Sequence, residues 1–131
     1  MVIGNWGSAI VFRVSEAQTL TFQKLNRTVG AEWATHSRIG LKDQSEFIRP
    51  KLQKVTFSVK LDALLGIKPR ATLDQLAEMV ERGTVNTLVV GGKRIGRYRW
   101  KITDISEAWD TVLSGGELMS ATVSLTMEEY L

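Results

Sequence analysis

Alternation of apolar and polar residues, interrupted once by a helical pattern, constrains this fold more than any other feature of the chain. Strict alternation places successive side chains on opposite faces of a strand, and it lies on both sides of residues 61–92. That segment has the pattern of a strand end, a bent connection, one helix, a short strand and a glycine turn. The sequence therefore predicts a mainly β (α+β) chain, an antiparallel β-barrel or sandwich with a single flanking helix.

Two long alternating runs are predicted to supply much of the inner sheet, Gln53–Leu61 and Met119–Met127. In the first run every second residue is apolar, and burying four such side chains contributes roughly 6–12 kcal/mol of gross stabilisation. The apolar positions are Val55, Phe57, Val59 and Leu61 in the first run, and Met119, Ala121, Val123, Leu125 and Met127 in the second.

Shorter alternating runs predict the remaining strands, to give roughly seven or eight in total. Residues 8–14 and 19–25 are typical of a first hairpin, residues 26–30 of a turn, and residues 31–39 of a strand bent out of the barrel. Residues 87–90 and 93–105 are predicted to pair through the Gly91-Gly92 turn, with a bulge near Asp104-Ile105. Residues 1–7 are predicted to form an N-terminal arm or a strand edge, and residues 40–50 an extended loop or a protruding hairpin.

The single helix is predicted at about residues 72–82. Thr72 fits the N-cap and Gln75 follows three residues later, as in a capping box. Gly83 fits the C′ position, and Pro69 argues against a helix continuous from Gly66. Apolar residues recur at helical spacing and predict one stripe that docks on the sheet: Leu73, Leu76, Ala77 and Val80.

Composition bounds the function mainly by what it excludes. With 131 residues, the chain is predicted to be a single domain over 1–131. It contains no cysteine, which excludes disulfide scaffolds, thiol catalysis and thiolate metal sites. No apolar run approaches the ~18–20 residues of a membrane-spanning helix, and the N-terminus lacks the charged and long apolar regions of a signal peptide. The net charge of +3 permits an acidic partner without requiring one.

No arrangement of residues is typical of an active site. His36 is the only histidine, so no second imidazole or thiolate can share a metal ion with it. Glu128-Glu129 is predicted to be a solvated strand end rather than an acid–base pair. The glycines at 91, 92 and 96 lie between two strands and not before a helix, which argues against a phosphate loop. We therefore predict no catalytic residue, no cofactor-binding residue, no metal ligand and no enzyme activity.

Charged side chains in two segments are the candidate protein-interface residues. Arg97, Arg99 and Lys101 alternate on one predicted strand face, with Tyr98 and Trp100 on the opposite face. A single-stranded nucleic-acid site would need aromatic rings on the basic face, so a protein interface or a solvated face is favoured. A small basic nucleic-acid-binding β-barrel is the alternative function. The candidates in the 40–50 segment are Lys42, Glu46 and Arg49.

A series of short patterns extends along almost the whole chain in a fixed order. They include Trp33-Ala34-x-His36, Leu61-Asp62-Ala63-Leu64-Leu65-Gly66, Pro69-Arg70, Val90-Gly91-Gly92-Lys93, Ile95-Gly96, and Glu107 with Trp109. No single pattern is specific, but the series resembles the GpU tail-protein family of temperate contractile-tailed bacteriophages. One departure is Lys68, where a turn-forming Asn is common in the family.

The resemblance implies a non-enzymatic structural component of a phage or phage-like contractile tail that is needed for tail assembly. It implies a tail-tube type of fold and a homohexameric ring at the junction of tube and baseplate. The implied partners are tail-tube and baseplate-hub proteins, with sheath proteins as further candidates. DNA would pass only as cargo in the lumen, and no membrane or cofactor is implied. The implied location is the virion tail or baseplate, after assembly in the host cytoplasm.

Overall fold

Strands account for most of the fold in a computed structural model that describes residues 2–7, 10–14, 19–20, 22–65, 67–113 and 115–131. The mainly β prediction with one helix is confirmed, and the sheet curls antiparallel into a half-barrel. The described strands number twelve rather than seven or eight, because several have only two or three residues. In chain order they are β1 (Val2–Trp6), β2 (Ile10–Val14), β3 (Thr19–Leu20), β4 (Phe22–Thr28), β5 (Ala31–Arg38), β6 (Leu41–Pro50), β7 (Lys54–Asp62), β8 (Val85–Asn86), β9 (Leu88–Val90), β10 (Lys93–Arg94), β11 (Arg99–Val112) and β12 (Leu118–Tyr130).

These strands form three antiparallel sheets. The first sheet has the order β10-β9-β1-β2-β3, and the second sheet has the order β4-β7-β12-β11-β8. The third consists of β5 and β6 alone. A short 3-10 turn (Ala63–Leu65) and the helix α1 (Pro69–Arg82) connect β7 to β8.

The β7–β12 pair forms the centre of the hydrophobic core. The two strands pair without interruption over the whole of β7. The predicted alternation is confirmed, since the second-position side chains of β7 are all buried, and so are those of β12 from Ala121 to Met127. Trp6 and Leu88 of the first sheet belong to the same buried cluster. The two five-stranded sheets therefore share one core.

The N-terminal segment does not form the predicted arm. β1 lies between β9 and β2 in the first sheet. Trp6 is fully buried, and its Nε1 donates a hydrogen bond to the Trp100 carbonyl oxygen in the second sheet, at 3.1 Å. The run around Trp6 is too short to show the alternation of a core strand, and this is why the arm prediction is wrong.

Two predicted strands are wrong in extent because each changes sheets along its length. The strand predicted over 19–25 divides into β3 and β4, which belong to different sheets, and β4 continues to Thr28 through most of the predicted 26–30 turn. The strand predicted over 93–105 divides into β10 and β11 around a bend at residues 95–98. The first hairpin is confirmed by β2–β3 pairing, although its connection, residues 15–18, lies outside the described residues.

The predicted Gly91-Gly92 turn and the predicted bulge are both confirmed. Gly91 and Gly92 have φ values of 63° and 79°, and they join β9 to β10 as a two-residue hairpin. Positive φ at both central positions is the requirement of a type I′ turn, which favours glycine. The register of β11 against β12 shifts between Ile102 and Asp104, at the place where the alternation predicted a bulge.

The helix α1 begins three residues before the predicted N-cap. Lys68 is the N-cap and makes no side-chain cap hydrogen bond, and Pro69 is the first helical residue. Proline is favoured there because the first helical N–H has no partner within the helix and because its φ is already helical. The Thr72 N–H donates to the Lys68 carbonyl at 3.0 Å, so Thr72 lies within the first turn. The Thr72–Gln75 capping box is therefore not formed.

The C-terminal end of α1 agrees with the sequence. Gly83 has φ 69° and ψ 35°, in the left-handed region, and its N–H donates to the Val80 carbonyl. The Thr84 N–H donates to the Met79 carbonyl at 3.1 Å, which completes a Schellman motif. The helix buries Pro69, Leu73 and Leu76 against the sheet.

Residues 41–50 form a strand rather than a loop. β5 and β6 pair with each other along their length, and all ten residues of β6 are exposed. The Lys51 N–H donates to the Gly30 carbonyl at 3.0 Å and closes the base of this hairpin. The protruding hairpin, the second of the two predicted possibilities, is the observed one.

The second sheet ends in two strand edges that lack a partner among the described residues. β4 pairs with β7 on one side only. β11 pairs with β8 only at Trp100 and Lys101, so its outer edge from Thr103 to Val112 has no strand partner in the described chain. Unpaired backbone donors and acceptors along such an edge can hydrogen-bond a strand of another molecule.

Candidate protein interfaces

The three basic residues predicted to alternate on one strand face do not form a continuous stripe. Arg99 and Lys101 lie on β11 and point away from the core, because Trp100 is fully buried and Ile102 is 7% exposed. Arg97 precedes β11 and lies in the bend at 95–98. Only two of the three residues therefore share the predicted strand face.

Lys101 is engaged by a carboxylate of the same chain. Its Nζ lies 3.3 Å from Oε1 of Glu128 on the paired strand β12. The next residue, Glu129, is 7% exposed, and its Oε1 accepts a hydrogen bond from the Gln53 N–H at 2.6 Å. The prediction of a solvated Glu128-Glu129 strand end is therefore wrong for Glu129, which ties the end of β12 to the residue before β7.

The bend at 95–98 is built by local hydrogen bonds and one glycine. The Trp100 Nε1 donates to the Ile95 carbonyl at 2.7 Å, and the Ile95 N–H donates to the Leu88 carbonyl at 2.9 Å. Gly96 has φ +72°, and a Cβ there would lie 3.4 Å from the Trp100 ring. A residue other than glycine at 96 would be strained by its backbone conformation, because its φ is positive. The bend therefore directs residues 97–99 away from β10.

This bend creates an open cleft of about 500 Å³, here named the arginine–tyrosine cleft. Its lining residues are Thr87, Arg94, Arg97, Tyr98, Arg99, Tyr130 and Leu131. Tyr98 is 44% exposed and Tyr130 43% exposed, so two aromatic rings lie beside three guanidinium groups. The prediction that Tyr98 lies opposite the basic residues, on the core face, is wrong because Tyr98 precedes the strand.

Two contacts order the cleft. The Arg99 guanidinium carbon lies 5.4 Å from the centroid of the Tyr130 ring, and the two residues are register partners on β11 and β12. Arg94 Nη2 donates to the Arg97 carbonyl oxygen at 2.9 Å. Stacking on an aromatic face leaves the N–H edge of a guanidinium free to donate.

A second cleft, of about 550 Å³, lies where α1 begins beside the β11–β12 turn. Its charged lining residues are balanced in sign: Lys68, Arg70, Asp74 and Glu117. Arg70 already stacks on Trp109, with 5.2 Å from its guanidinium carbon to the ring centroid. Charge therefore selects no ligand for this cleft.

The predicted interface residues of the β5–β6 hairpin mostly form cross-strand pairs. Arg49 Nε lies 3.1 Å from Glu32 Oε2, and Glu46 Oε2 lies 2.9 Å from His36 Nε2. The Lys42 carbonyl accepts a hydrogen bond from Arg38 Nε at 2.9 Å. All of these side chains remain exposed and sit along one projecting element.

Exposed apolar residues on the same hairpin were missed by the sequence analysis. Trp33 is 58% exposed and Phe47 51% exposed, and their rings meet edge to face with centroids 5.2 Å apart. Ile39 and Leu41, at the tip, are also exposed. The sequence contains the signal, because apolar residues recur among the charged residues of the 40–50 segment.

Opposite charges on the two unpaired sheet edges were also missed. β4 contains Lys24 and Arg27 and no acidic residue. The unpartnered part of β11 contains Asp104, Glu107 and Asp110 and no basic residue. These five side chains are exposed. The opposite charges of the two edges could be predicted only from a known strand order, because alternation does not say which strands lie at an edge.

His, Asp and Glu side chains do not cluster into a metal site in the part of the chain that the structure describes. That part contains no group of three or more His, Asp or Glu side chains able to hold a metal ion. His36 lies on the exposed hairpin beside one carboxylate. Within the described residues, no helix is both long enough and apolar enough to cross a membrane.

Comparison with protein-family models matches the Phage P2 GpU family over residues 8–131. The comparison with curated proteins gives no match. Among solved structures, the chain is similar to one from the "Tail of empty GTA particle computed with helical refinement, C6 symmetry". The TM-score is 0.54 at 15% sequence identity, with 100% of this chain and 91% of that chain covered. At this identity the structural likeness concerns the fold, whereas the family match covers nearly the whole chain.

Proposed function

This chain belongs to the Phage P2 GpU family and is a structural component of a phage-type tail, and we propose that six copies close into a ring at the junction between tail tube and baseplate. The position at that junction is the expectation that the family resemblance carries. The solved chain of similar fold comes from a tail particle with C6 symmetry, and this supports the choice of six copies. A tail scaffold role without enzyme activity follows from the same proposal.

The observation that carries the ring is the pair of oppositely charged, unpaired edges of the second sheet. β4 is basic at one edge and β11 is acidic at the other. If β11 of one copy pairs with β4 of the next, the sheet continues from subunit to subunit and both edges are satisfied. Such head-to-tail contacts are heterologous and close into a ring only at the correct rotation.

The β5–β6 hairpin is the second element that we assign to assembly. An isolated two-stranded hairpin is marginally stable in water, and every residue of β6 is exposed. Exposed Trp33 and Phe47 beside the paired charges of Glu46 and Arg49 have the mixed apolar and polar character of a protein interface. We propose that this hairpin packs on the neighbouring subunit or on the adjacent ring.

The proposed partners are the tail-tube and baseplate-hub proteins, with sheath proteins as further candidates. Assembly would take place in the host cytoplasm, and the product would be part of the virion tail. DNA would only pass through the lumen. A chain that stayed strictly monomeric both alone and with its hub or tube partner would contradict the ring.

The test of the edges uses charge reversal. One variant carries Asp104→Lys, Glu107→Lys and Asp110→Lys, so that both of its edges are basic. A second carries Lys24→Glu and Arg27→Glu, so that both of its edges are acidic. Like charges placed opposite each other on neighbouring strands are destabilising, and we expect each variant alone to remain monomeric in native mass spectrometry.

Mixing the two variants gives the decisive result. Each basic edge then meets an acidic edge of the other variant, and we expect mixed rings with three copies of each. A matched control, Asp74→Lys with Glu81→Lys, changes exposed charges on α1 rather than on either strand edge and should form rings normally. Rings from either edge variant alone, or no rings from the mixture of folded variants, would overturn the proposed pairing.

The basic candidates are tested separately from the edges. We expect that reversing Arg97, Arg99 and Lys101 to Glu impairs tail assembly while the isolated chain remains folded by circular dichroism. Complementation of a tail-defective phage with the variant measures assembly. Normal tail yield from the triple variant would assign these residues to solvent.

A further inference from the structure

We propose that the arginine–tyrosine cleft binds an acidic peptide segment of a neighbouring tail protein. The inference rests on the proposed function for the identity of the partner as a tail protein. The preference for acidic side chains comes from the cleft itself. In this proposal Arg97 and Arg99 contact the acidic segment, and this contact is separate from the strand edges that close the ring.

Unbalanced charge is the first argument. Arg94, Arg97 and Arg99 line one cleft, and none of them forms an ion pair with a described carboxylate. Arg49 and Arg82, by contrast, form ion pairs with Glu32 and Glu78. No Asp or Glu side chain lines this cleft, and three guanidinium groups gathered without such a partner favour an anionic ligand supplied from outside.

Preorganisation is the second argument. Arg99 is held over the Tyr130 ring, and Arg94 is held by the Arg97 carbonyl, so less side-chain entropy is lost when a ligand binds. A stacked guanidinium presents its planar donor edge, which matches the two oxygens of a carboxylate. Half-exposed Tyr98 and Tyr130 add apolar area and hydroxyl groups at the same place. Arginine and tyrosine are also the residue types that most often dominate protein interfaces.

The confinement of the charge favours a protein segment over a polynucleotide. A nucleic-acid strand needs a basic groove that follows its backbone for several nucleotides. Here the next basic residue along β11, Lys101, forms an ion pair with Glu128 at 3.3 Å. The cleft of about 500 Å³ accommodates a few residues rather than an extended strand. A short acidic segment fits this size and charge.

The test uses fluorescein-labelled, N-acetylated hexaglutamate as the probe and anisotropy as the readout at physiological salt. We expect saturable binding to the unmodified chain that weakens at least about tenfold in Arg97→Gln/Arg99→Gln, because hydrogen bonds to charged groups are the stronger kind. The control is Arg49→Gln/Arg82→Gln, which removes the same charge from arginines already paired within the chain. Binding to this control should stay within about twofold of the original.

Three outcomes would overturn the inference. An equal loss of hexaglutamate affinity in both double variants would mean that the peptide is attracted only by the net charge of the chain. Tighter binding of a thymidine hexanucleotide than of hexaglutamate, lost in the cleft variant, would assign the cleft to nucleic acid. Absence of saturable hexaglutamate binding would remove the site.

Ring formation by the cleft variant separates this inference from the proposed function. We expect Arg97→Gln/Arg99→Gln to form the same rings as the unmodified chain in native mass spectrometry. If the unmodified chain forms rings but does not bind the peptide, only the proposed peptide site is contradicted. If it binds the peptide but never forms rings, only the proposed ring is contradicted.

Discussion

Two strand pairs of this chain, β7–β12 and β5–β6, are both antiparallel but have different surroundings. In β7–β12 every second side chain enters a shared core, as with Val55 and Leu125. In β5–β6 the side chains of both faces are exposed or half-buried, and their contacts include two ion pairs and one aromatic pair. Burial therefore fixes the register of the β7–β12 pair. The register of β5–β6 depends on cross-strand contacts, each of which contributes roughly 0.2–1 kcal/mol. The second pair has the surface of an element that completes its packing in an assembly.

The largest expected difference comes from removing a leucine from each pair. We expect Leu125→Ala, at a position 1% exposed, to lower the free energy of unfolding by about 2–5 kcal/mol through lost burial and a residual cavity. The same change at Leu41, 65% exposed in β6, should stay within about 0.5 kcal/mol. Urea denaturation at low protein concentration, where assembly does not contribute, measures both. Comparable losses would mean that the hairpin is packed in the isolated chain.

The same contrast explains which parts of the fold were predictable from sequence. Alternation at Val55–Leu61 and Ala121–Met127 is dictated by a one-sided core, so a pattern of period two was sufficient. The helix start was ambiguous because Pro69 at the first helical position and Thr72 at an N-cap are both acceptable local signals. In the longer helix that forms, Pro69 and Leu73 are both buried.

The candidate interfaces depend on strand order, which alternation cannot supply. The alternation of residues 97–102 does not mark the bend at 95–98, where Gly96 and the Trp100 indole turn the chain out of one sheet and into another. That bend brings Tyr98 beside Arg97 and Arg99. Likewise, the charges of β4 and β11 acquire a meaning only once both strands lie at the edges of one sheet.

A smaller loss of stability is expected from backbone strain at two glycines, one at the end of α1 and one at the tip of the β5–β6 hairpin. Gly83 after α1 and Gly40 at the hairpin tip have φ values of 69° and 72°, and a Cβ would meet nothing within 4 Å at either position. Alanine in this conformation costs on the order of 1 kcal/mol. We expect Gly83→Ala to lower global stability by about that amount, because the end of α1 unfolds with the core.

Gly40→Ala should introduce the same backbone strain, but its effect should appear in local opening of the hairpin rather than in global unfolding. If β5–β6 opens independently of the core, its amide hydrogen exchange should accelerate about fivefold, the equivalent of 1 kcal/mol, while the urea midpoint stays unchanged. Hydrogen exchange resolved by residue measures this. A shift of the global midpoint equal to that of Gly83→Ala would show that the hairpin and the core unfold as one unit.

The coupling between Trp33 and Phe47 is expected to be of similar size to the glycine strain. Their edge-to-face contact should contribute about 0.5–1.5 kcal/mol to closing the hairpin, measured by hydrogen exchange in a double-mutant cycle of Trp33→Ala and Phe47→Ala. In the isolated chain neither variant should change core stability. In the ring, truncation of Trp33 should weaken assembly by more than the coupling energy, because a ring of this kind would bury the exposed 58% of that side chain on a neighbour. If ring stability changes no more than hairpin closure does, the hairpin lies outside the subunit contacts.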